Sequence, residues 1–398
     1  MKNEKLGVAI DIGTTTVALH LIEIDTGETL ATMSGINAQS PYGADVTSRI
    51  RYCAENGHEK LTKLIRDQIA SLINRACLST GTKTENIEKV TIAANTIMQH
   101  LVAGYSPVTM GVSPFTTLSL FGEELPAWDE LPVAKNIKIY YTPAIAAYVG
   151  GDITAGLLAA GFEDITGPAI FLDIGTNGEI VLKHEGTYYC CATAAGPAFE
   201  GAEITMGMVA ENGAIDHVKW YDRPVFSVIG SGKPRGLCGS GLLDTLAVLL
   251  DIGAVDESGR LDKDRFWLTP EEDDGVYITA GDIRKIQLAK AAIAAGIQVL
   301  LHFAGITEAD LKCLALAGGF GNFMDLHSAV RIGLFPKKLL PIAESIGNTA
   351  GEGAAIELYS SDARERLMKI KKQCEYIELS SMTFFNDKFI DQMAFRME

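Results

Sequence analysis

Val8-Ala9-Ile10-Asp11-Ile12-Gly13-Thr14-Thr15-Thr16 and Ile170-Phe171-Leu172-Asp173-Ile174-Gly175-Thr176-Asn177-Gly178-Glu179 are one phrase used twice. Each is an apolar run, then Asp-Ile-Gly-Thr, then a polar residue and a second strand-like run. The apolar run predicts a buried strand. Gly13 and Gly175 stand where a tight strand-to-strand turn is needed, and glycine tolerates a positive φ there. A turn of this kind offers backbone N–H groups and threonine hydroxyls to an anion. The aspartate closing each strand, Asp11 or Asp173, sets a carboxylate beside the turn, as a hydrated Mg²⁺ requires. One copy says little. Two copies, one in each half of the chain, predict two similar domains facing one nucleotide.

At 398 residues the chain exceeds one ordinary core, which predicts two domains. Hydrophobic residues at 47% against 21% charged place it among globular chains. The net charge of −16 argues against a nucleic-acid-binding surface, which needs clustered Lys and Arg. Asp11 interrupts the N-terminal apolar stretch, so that stretch is no signal peptide. No apolar run reaches the about 18 residues expected of a membrane helix. The best candidate, residues 291–303, is broken by Gln298 and His302. A cytoplasmic protein with no membrane and no nucleic-acid partner is expected. The cysteines (Cys53, Cys77, Cys190, Cys191, Cys238, Cys313 and Cys374) include no C-x-x-C pair, so no zinc or iron–sulfur pattern is visible. They are expected as reduced thiols. A cluster shared between two subunits, and with it a homodimer, stays open.

Strands are expected at residues 6–12, 17–24 and 28–36, with a hairpin turn at 25–28. Apolar spacing predicts helices at 44–54 and 59–77. A short strand follows at 90–94. Asn95 caps a helix that runs to Leu101 and that Gly104 closes. Another strand lies at 137–141. Residues 143–160 predict a helix rich in small residues, interrupted by Gly150-Gly151-Asp152. The second half repeats the order, with strands at 169–174, 178–183 and 187–193. A β-rich excursion at 205–235 precedes a helix at 239–250 and a polar insertion at 261–276. Thr279 to Asp282 cap a long helix to residue 301. A strand at 313–317 ends in Gly318-Gly319-Phe320-Gly321-Asn322, and a last helix opens at Thr349. Phe384, Phe385, Phe389 and Phe395 are expected against the body. Strand-strand-strand-helix-strand-helix occurs twice, an internal duplication with mixed sheets flanked by helices in an α/β architecture. The expected division is 1–165 with the first loop and 166–398 with the second.

Taken together these phrases resemble the nucleotide-binding core shared by actin, sugar kinases and heat-shock chaperones, a duplicated ribonuclease H-like fold. Residues 11–16 match its first phosphate loop and 173–178 its second. Residues 316–321 resemble its adenosine motif, and 143–151 and 349–355 its two connecting helices. A narrower match covers Tyr42-Gly43-Ala44-Asp45-Val46, Asn95-Thr96-Ile97-Met98-Gln99-His100, Gly196-Pro197-Ala198-Phe199-Glu200-Gly201 and residues 282–290. These are similar to the ATP-dependent reductive activators of corrinoid proteins. That resemblance implies an ATPase using ATP and Mg²⁺, with a corrinoid protein as partner, which restores cobalt(I) from cobalt(II) for methyl transfer. In that family an iron–sulfur domain supplies the electron. No ferredoxin-like cysteine cluster stands at either end of this sequence, so the iron–sulfur electron donor is expected on a missing or separate domain.

Within this resemblance Asp11 and Asp173 flank a Mg²⁺ mainly through water, where each could instead only cap a turn. Thr14, Thr15, Thr16, Thr176 and Asn177 donate to phosphate oxygens, although Thr and Asn also simply favour turns. Gly318, Gly319 and Phe320 lie under adenine and ribose, with Asn322 beside them. Asp152 orients the attacking water or is a helix-surface charge. Glu200 is a partner of Mg²⁺-bound water or half of a salt bridge, and Gly201 lets its loop approach the γ-phosphate. His100 and His302 are expected as core histidines, and Cys238 as a packing cysteine. The rival readings are a small-metabolite kinase, an actin-like scaffold, and an activator of 2-hydroxyacyl-CoA dehydratases.

Overall fold

The first apolar run becomes β1 (Leu6–Ile12), buried along nearly its whole length. In the computed structural model, which describes residues 5–270, 275–321 and 323–396, β1 sits between two neighbours. Antiparallel β2 (Thr16–Glu23) lies on one side, followed by β3 (Glu28–Ile36). Parallel β4 (Ile87–Ala94) lies on the other. With β5 (Glu123–Pro126) and β6 (Lys138–Tyr141) the order is β3-β2-β1-β4-β6-β5, and β6 is parallel to β4. Helices α1 (Val46–Asn56), α2 (Glu59–Thr80) and α3 (Thr96–Ala103) bury Ile50, Ile65, Ile69 and Leu101 with Ile10, Leu19 and Ile92. As expected, Asn95 caps α3 by accepting from Met98 N at 3.0 Å, and Gly104 closes it.

The small-residue helix departs from expectation. α4 is Gly151–Ala159, and residues 143–149 are not helical. Gly150 and Gly151 do not interrupt the helix; they permit close packing at its start. A Cβ on Gly150 would lie 2.4 Å from Asn95 Cα, and one on Gly151 2.3 Å from Thr142 Oγ1.

The second phrase builds the second unit. β7 (Ala169–Ile174) pairs antiparallel with β8 (Gly178–His184), and β8 with β9 (Thr187–Thr193). The β-rich excursion is β10 (Ala214–Trp220), β11 (Pro224–Val228) and β12 (Gly236–Leu237), leading into α5 (Gly239–Asp251). The polar insertion includes β13 (Arg265–Trp267), which pairs with β14 (Tyr277–Thr279). Then come α6 (Ala280–Ala304), β15 (Cys313–Ala317), α7 (Gly318–Gly321), α8 (Leu326–Arg331) and β16 (Ala343–Gly347). β15 is parallel to both β7 and β16. The order β9-β8-β7-β15-β16 repeats β3-β2-β1-β4-β6 strand for strand, so the duplicated phrase is the centre of a duplicated sheet.

Thr279 and Asp282 form a reciprocal capping box that starts α6. At 25 residues α6 is the one helix among the described residues long and apolar enough, by length and composition alone, to cross a membrane, although Lys290 and, as expected, Gln298 and His302 interrupt its apolar run. It is mostly buried and carries Ile286, Ile293, Ile297 and Leu300 into the core of the second unit.

The contact pattern divides the chain at Ile165/Thr166. It also returns Asn348–Tyr376 to the first unit, so 166–398 is not one continuous second lobe. The returning segment holds α9 (Thr349–Tyr359) and α10 (Ala363–Gln373). α9 packs so closely on α4 that a Cβ on Gly353 would lie 2.0 Å from the Ala155 carbonyl oxygen. Ala354 and Leu358 join Ala9, Ala93 and Ala155 in a small core on the sheet. Buried Glu357 fixes the arrangement by accepting from the Thr91 hydroxyl and pairing with Arg364. α11 (Thr383–Asp391) follows and packs on α6, and Phe395 beyond it is buried, as the aromatic tail predicts.

Candidate functional site

In an open α/β sheet, ligands bind beyond the C-terminal ends of the parallel strands. In the first unit those ends gather Asp11, the loop 13–16, Asn95 and the start of α4. Gly13 N donates to Thr16 O at 2.9 Å, closing the hairpin. Contrary to expectation, neither Gly13 nor Gly175 has a positive φ. Gly13 is glycine for another reason: a Cβ would lie 2.8 Å from Thr16 O.

The three loop carbonyls are held from one side. Asn37 Nδ2 donates to Gly13 O at 2.9 Å, Arg49 Nη2 to Thr14 O at 2.6 Å, and Asn37 N to Thr15 O at 2.8 Å. Asn95 Nδ2 reaches Thr14 Oγ1 at 3.2 Å. Sequence reasoning missed Asn37 and Arg49. The segment 42–46 was singled out as a motif, and its structural content is the start of α1: Asp45 caps the helix and Gly43 O accepts from Arg49 Nε.

Asp11 is half-buried and accepts from Asn348 Nδ2 at 3.0 Å. Burial pushes its pKa up to about 6, against the opposing effect of the Asn348 bond. Next to Asn348, the buried Thr349 hydroxyl has no hydrogen-bond partner among the described residues. Asp152 lies in the first turn of α4 and accepts from Ile153 N at 2.8 Å. The contact of Gly150 with Asn95 brings this turn to the loop edge.

In the second unit Gly175 N donates to Asn177 O at 2.9 Å, and the Thr176 hydroxyl donates to Glu200 Oε2 at 2.9 Å. Glu200 is therefore part of the second loop's own bonding. Asp173 pairs in register with Ala317, the last residue of β15. The next residue, Gly318, has φ +88°, and a Cβ there would lie 2.4 Å from Asp173 Oδ1. Only glycine meets both demands. Gly201 has φ +78°, and the atom its missing Cβ would meet is Met208 O at 2.5 Å, so it serves the packing of the excursion. Phe320 stacks on Phe199 at 5.0 Å between ring centroids, and Gly319 is exposed. Asn322 lies outside the described residues.

His100 is the core histidine expected: buried, with Nδ1 donating to Thr96 O and Nε2 accepting from Leu118 N. His302 is not; it is exposed and stacks on Phe384 at 4.4 Å. Cys238 is buried at the N-cap of α5. Among the described residues no group of three or more His, Cys, Asp or Glu side chains is placed to hold a metal ion.

Two family profiles match nearly the whole chain. The RACo middle region covers residues 6–164, and the C-terminal domain of RACo, the ASKHA domain, covers residues 167–398. The chain belongs to the RACo family. Among relatives, the corrinoid activation enzyme RamQ of Eubacterium limosum is 36% identical over 98% of this chain and 70% of its own length. The Co(II) methylated amine-specific corrinoid protein reductase of Methanosarcina barkeri is 25% identical over 98% of this chain and 77% of its own. A solved reductive activator for a corrinoid, iron–sulfur protein matches with TM-score 0.90 and 36% identity, over 99% of this chain and 66% of that one. The chain thus spans about two thirds of the solved RACo-family structure. The duplicated ASKHA fold expected from the two loops is the fold of this family.

Proposed function

We propose that this chain is the ATP-binding and ATP-hydrolysing part of a cytoplasmic reductive activator that returns cobalt(II) corrinoid proteins to cobalt(I). The observation that carries this reading is the Asp-Ile-Gly-Thr loop repeated at the ends of β1 and β7, in a chain of the RACo family.

The residues fit Mg-ATP. Burial penalises the Asp11 carboxylate, and a cation relieves such a penalty. The unpartnered Thr349 hydroxyl follows Asn348, which bonds Asp11, and glycine at 318 lets the chain pass close to the Asp173 carboxylate. Magnesium, when bound, supplies positive charge to the phosphate oxygens and keeps several of its waters. Asp11 and Asp173 would each offer a carboxylate to those waters. Thr14, Thr15, Thr16, Thr176 and Asn177 bind phosphate oxygens through N–H and hydroxyl groups. Gly318, Gly319 and Phe320 take the adenosine side. Glu200, fixed by Thr176, orients water, and Asp152 positions the water that attacks the γ-phosphorus. The bond to the β,γ-bridging oxygen breaks, and ADP and phosphate leave.

The single electron for cobalt comes from an iron–sulfur donor outside the described residues. Hydrolysis shifts the conformation of the activator only if the γ-phosphate binds its two states differently. The test is ATP turnover with and without a cobalt(II) corrinoid protein. Stimulation by that protein supports the reading. Turnover indifferent to it, together with phosphorylation of a small metabolite, would replace the reading with a kinase.

A further inference from the structure

Arg49 on α1 is fully buried, at 0% exposure, and belongs to the largest buried side chains of the protein. Its Nη2 donates to Thr14 O at 2.6 Å, its Nε to Gly43 O at 3.0 Å and its Nη1 to Gln39 Oε1 at 3.1 Å, with Met98 Sδ 3.1 Å from the same Nη1. None of these partners is charged. Burial pushes its pKa down to about 10, with a smaller opposing pull from Asp45, so the guanidinium is cationic at neutral pH. A buried cation without a carboxylate in its bonding shell is unfavourable unless another anion offsets it.

The loop geometry shows where that anion belongs. The peptide unit is planar and trans, so each N–H points opposite to the carbonyl before it. The carbonyls of Gly13, Thr14 and Thr15 are drawn toward Asn37 and Arg49. The N–H groups of Thr14, Thr15 and Thr16 therefore aim the other way. A carbonyl that accepts from a cation also polarises the N–H across the same peptide. We propose that Arg49 is a positioning residue for the first phosphate loop: a fixed buried charge that pulls the Thr14 carbonyl inward and presents the Thr15 N–H to a polyphosphate.

This rests on the Mg-ATP reading, and the test separates the two. Affinities of the full chain for ATP, ADP, AMP and adenosine are measured calorimetrically for wild type, Arg49→Lys and Arg49→Met. Loss of the charge is expected to lower the preference for ATP over adenosine by about tenfold or more, with adenosine affinity changed by less than about threefold. Arg49→Lys, which keeps the charge, is expected to lose less than about threefold of that preference. Should Arg49→Met fail to fold, Arg49→Gln, which keeps an amide donor without charge, is held to the same tenfold. Equal losses for ATP and adenosine, or a lysine variant as poor as the uncharged one, would overturn the proposal. A wild-type protein that binds adenosine and ATP equally would overturn the Mg-ATP reading and this inference with it.

Discussion

At the scale of single residues the site works against the stability of the empty protein. Asp11 titrates at about 6 in the fold, against an ordinary value of 3.8. Folding therefore penalises its ionised form. The penalty is absent below about pH 4, grows as pH rises to about 6, and is complete above that, with an upper value of about 3 kcal/mol. Asp11→Asn is expected to stabilise the nucleotide-free protein by about 1–3 kcal/mol at pH 7.5 and not at pH 3.5, measured by urea unfolding. In the proposed Mg-ATP site the same substitution removes the charge that would hold magnesium waters, so stability and Mg-ATP hydrolysis are expected to move in opposite directions. Gly318→Ala tests the second loop. Its Cβ meets the Asp173 carboxylate at a φ that alanine adopts only under strain. Hydrolysis is expected to fall by about tenfold or more in a variant whose melting temperature drops only modestly.

At the scale of elements, α9 and α4 meet so closely that a Cβ on Gly353 would lie 2.0 Å from the Ala155 carbonyl oxygen. Gly353→Val is expected to push the helices apart and destabilise the first unit by about 2–4 kcal/mol, read by denaturant unfolding. Most elements were legible in the sequence because local signals agreed: apolar strands bounded by turns, Asn95 and Thr279 as caps, Gly104 as a stop. The misreadings have tertiary causes. Gly150-Gly151 looked like a break inside a helix, but it is the start of one packed against Asn95 and Thr142. The return of α9 and α10 to the first unit depends on Gly353, Ala354 and Glu357 finding partners far away in sequence. The places of Asp11, Asp173 and Thr176 at the two strand ends were legible because Asp-Ile-Gly-Thr is a repeated local phrase, whereas the bond from Thr176 to Glu200 joins two separate motifs. Arg49 and Asn37 were not legible, because nothing local marks an arginine as buried behind a loop three dozen residues earlier.

At the scale of the whole molecule the repeated strand order gives each unit one loop and one carboxylate, and the account requires both. Asp11 and Asp173 stand in equivalent places, at the ends of β1 and β7. Loss of either is expected to lower hydrolysis by a similar and large factor, and loss of both by little more, because residues that act as one unit are not additive. The most direct test is steady-state Mg-dependent ATP hydrolysis by wild type, Asp11→Ala, Asp173→Ala and the double variant, with folding checked by circular dichroism. The account predicts turnover in wild type and a loss of about a hundredfold or more in each folded variant. Wild-type turnover in either single variant would contradict it.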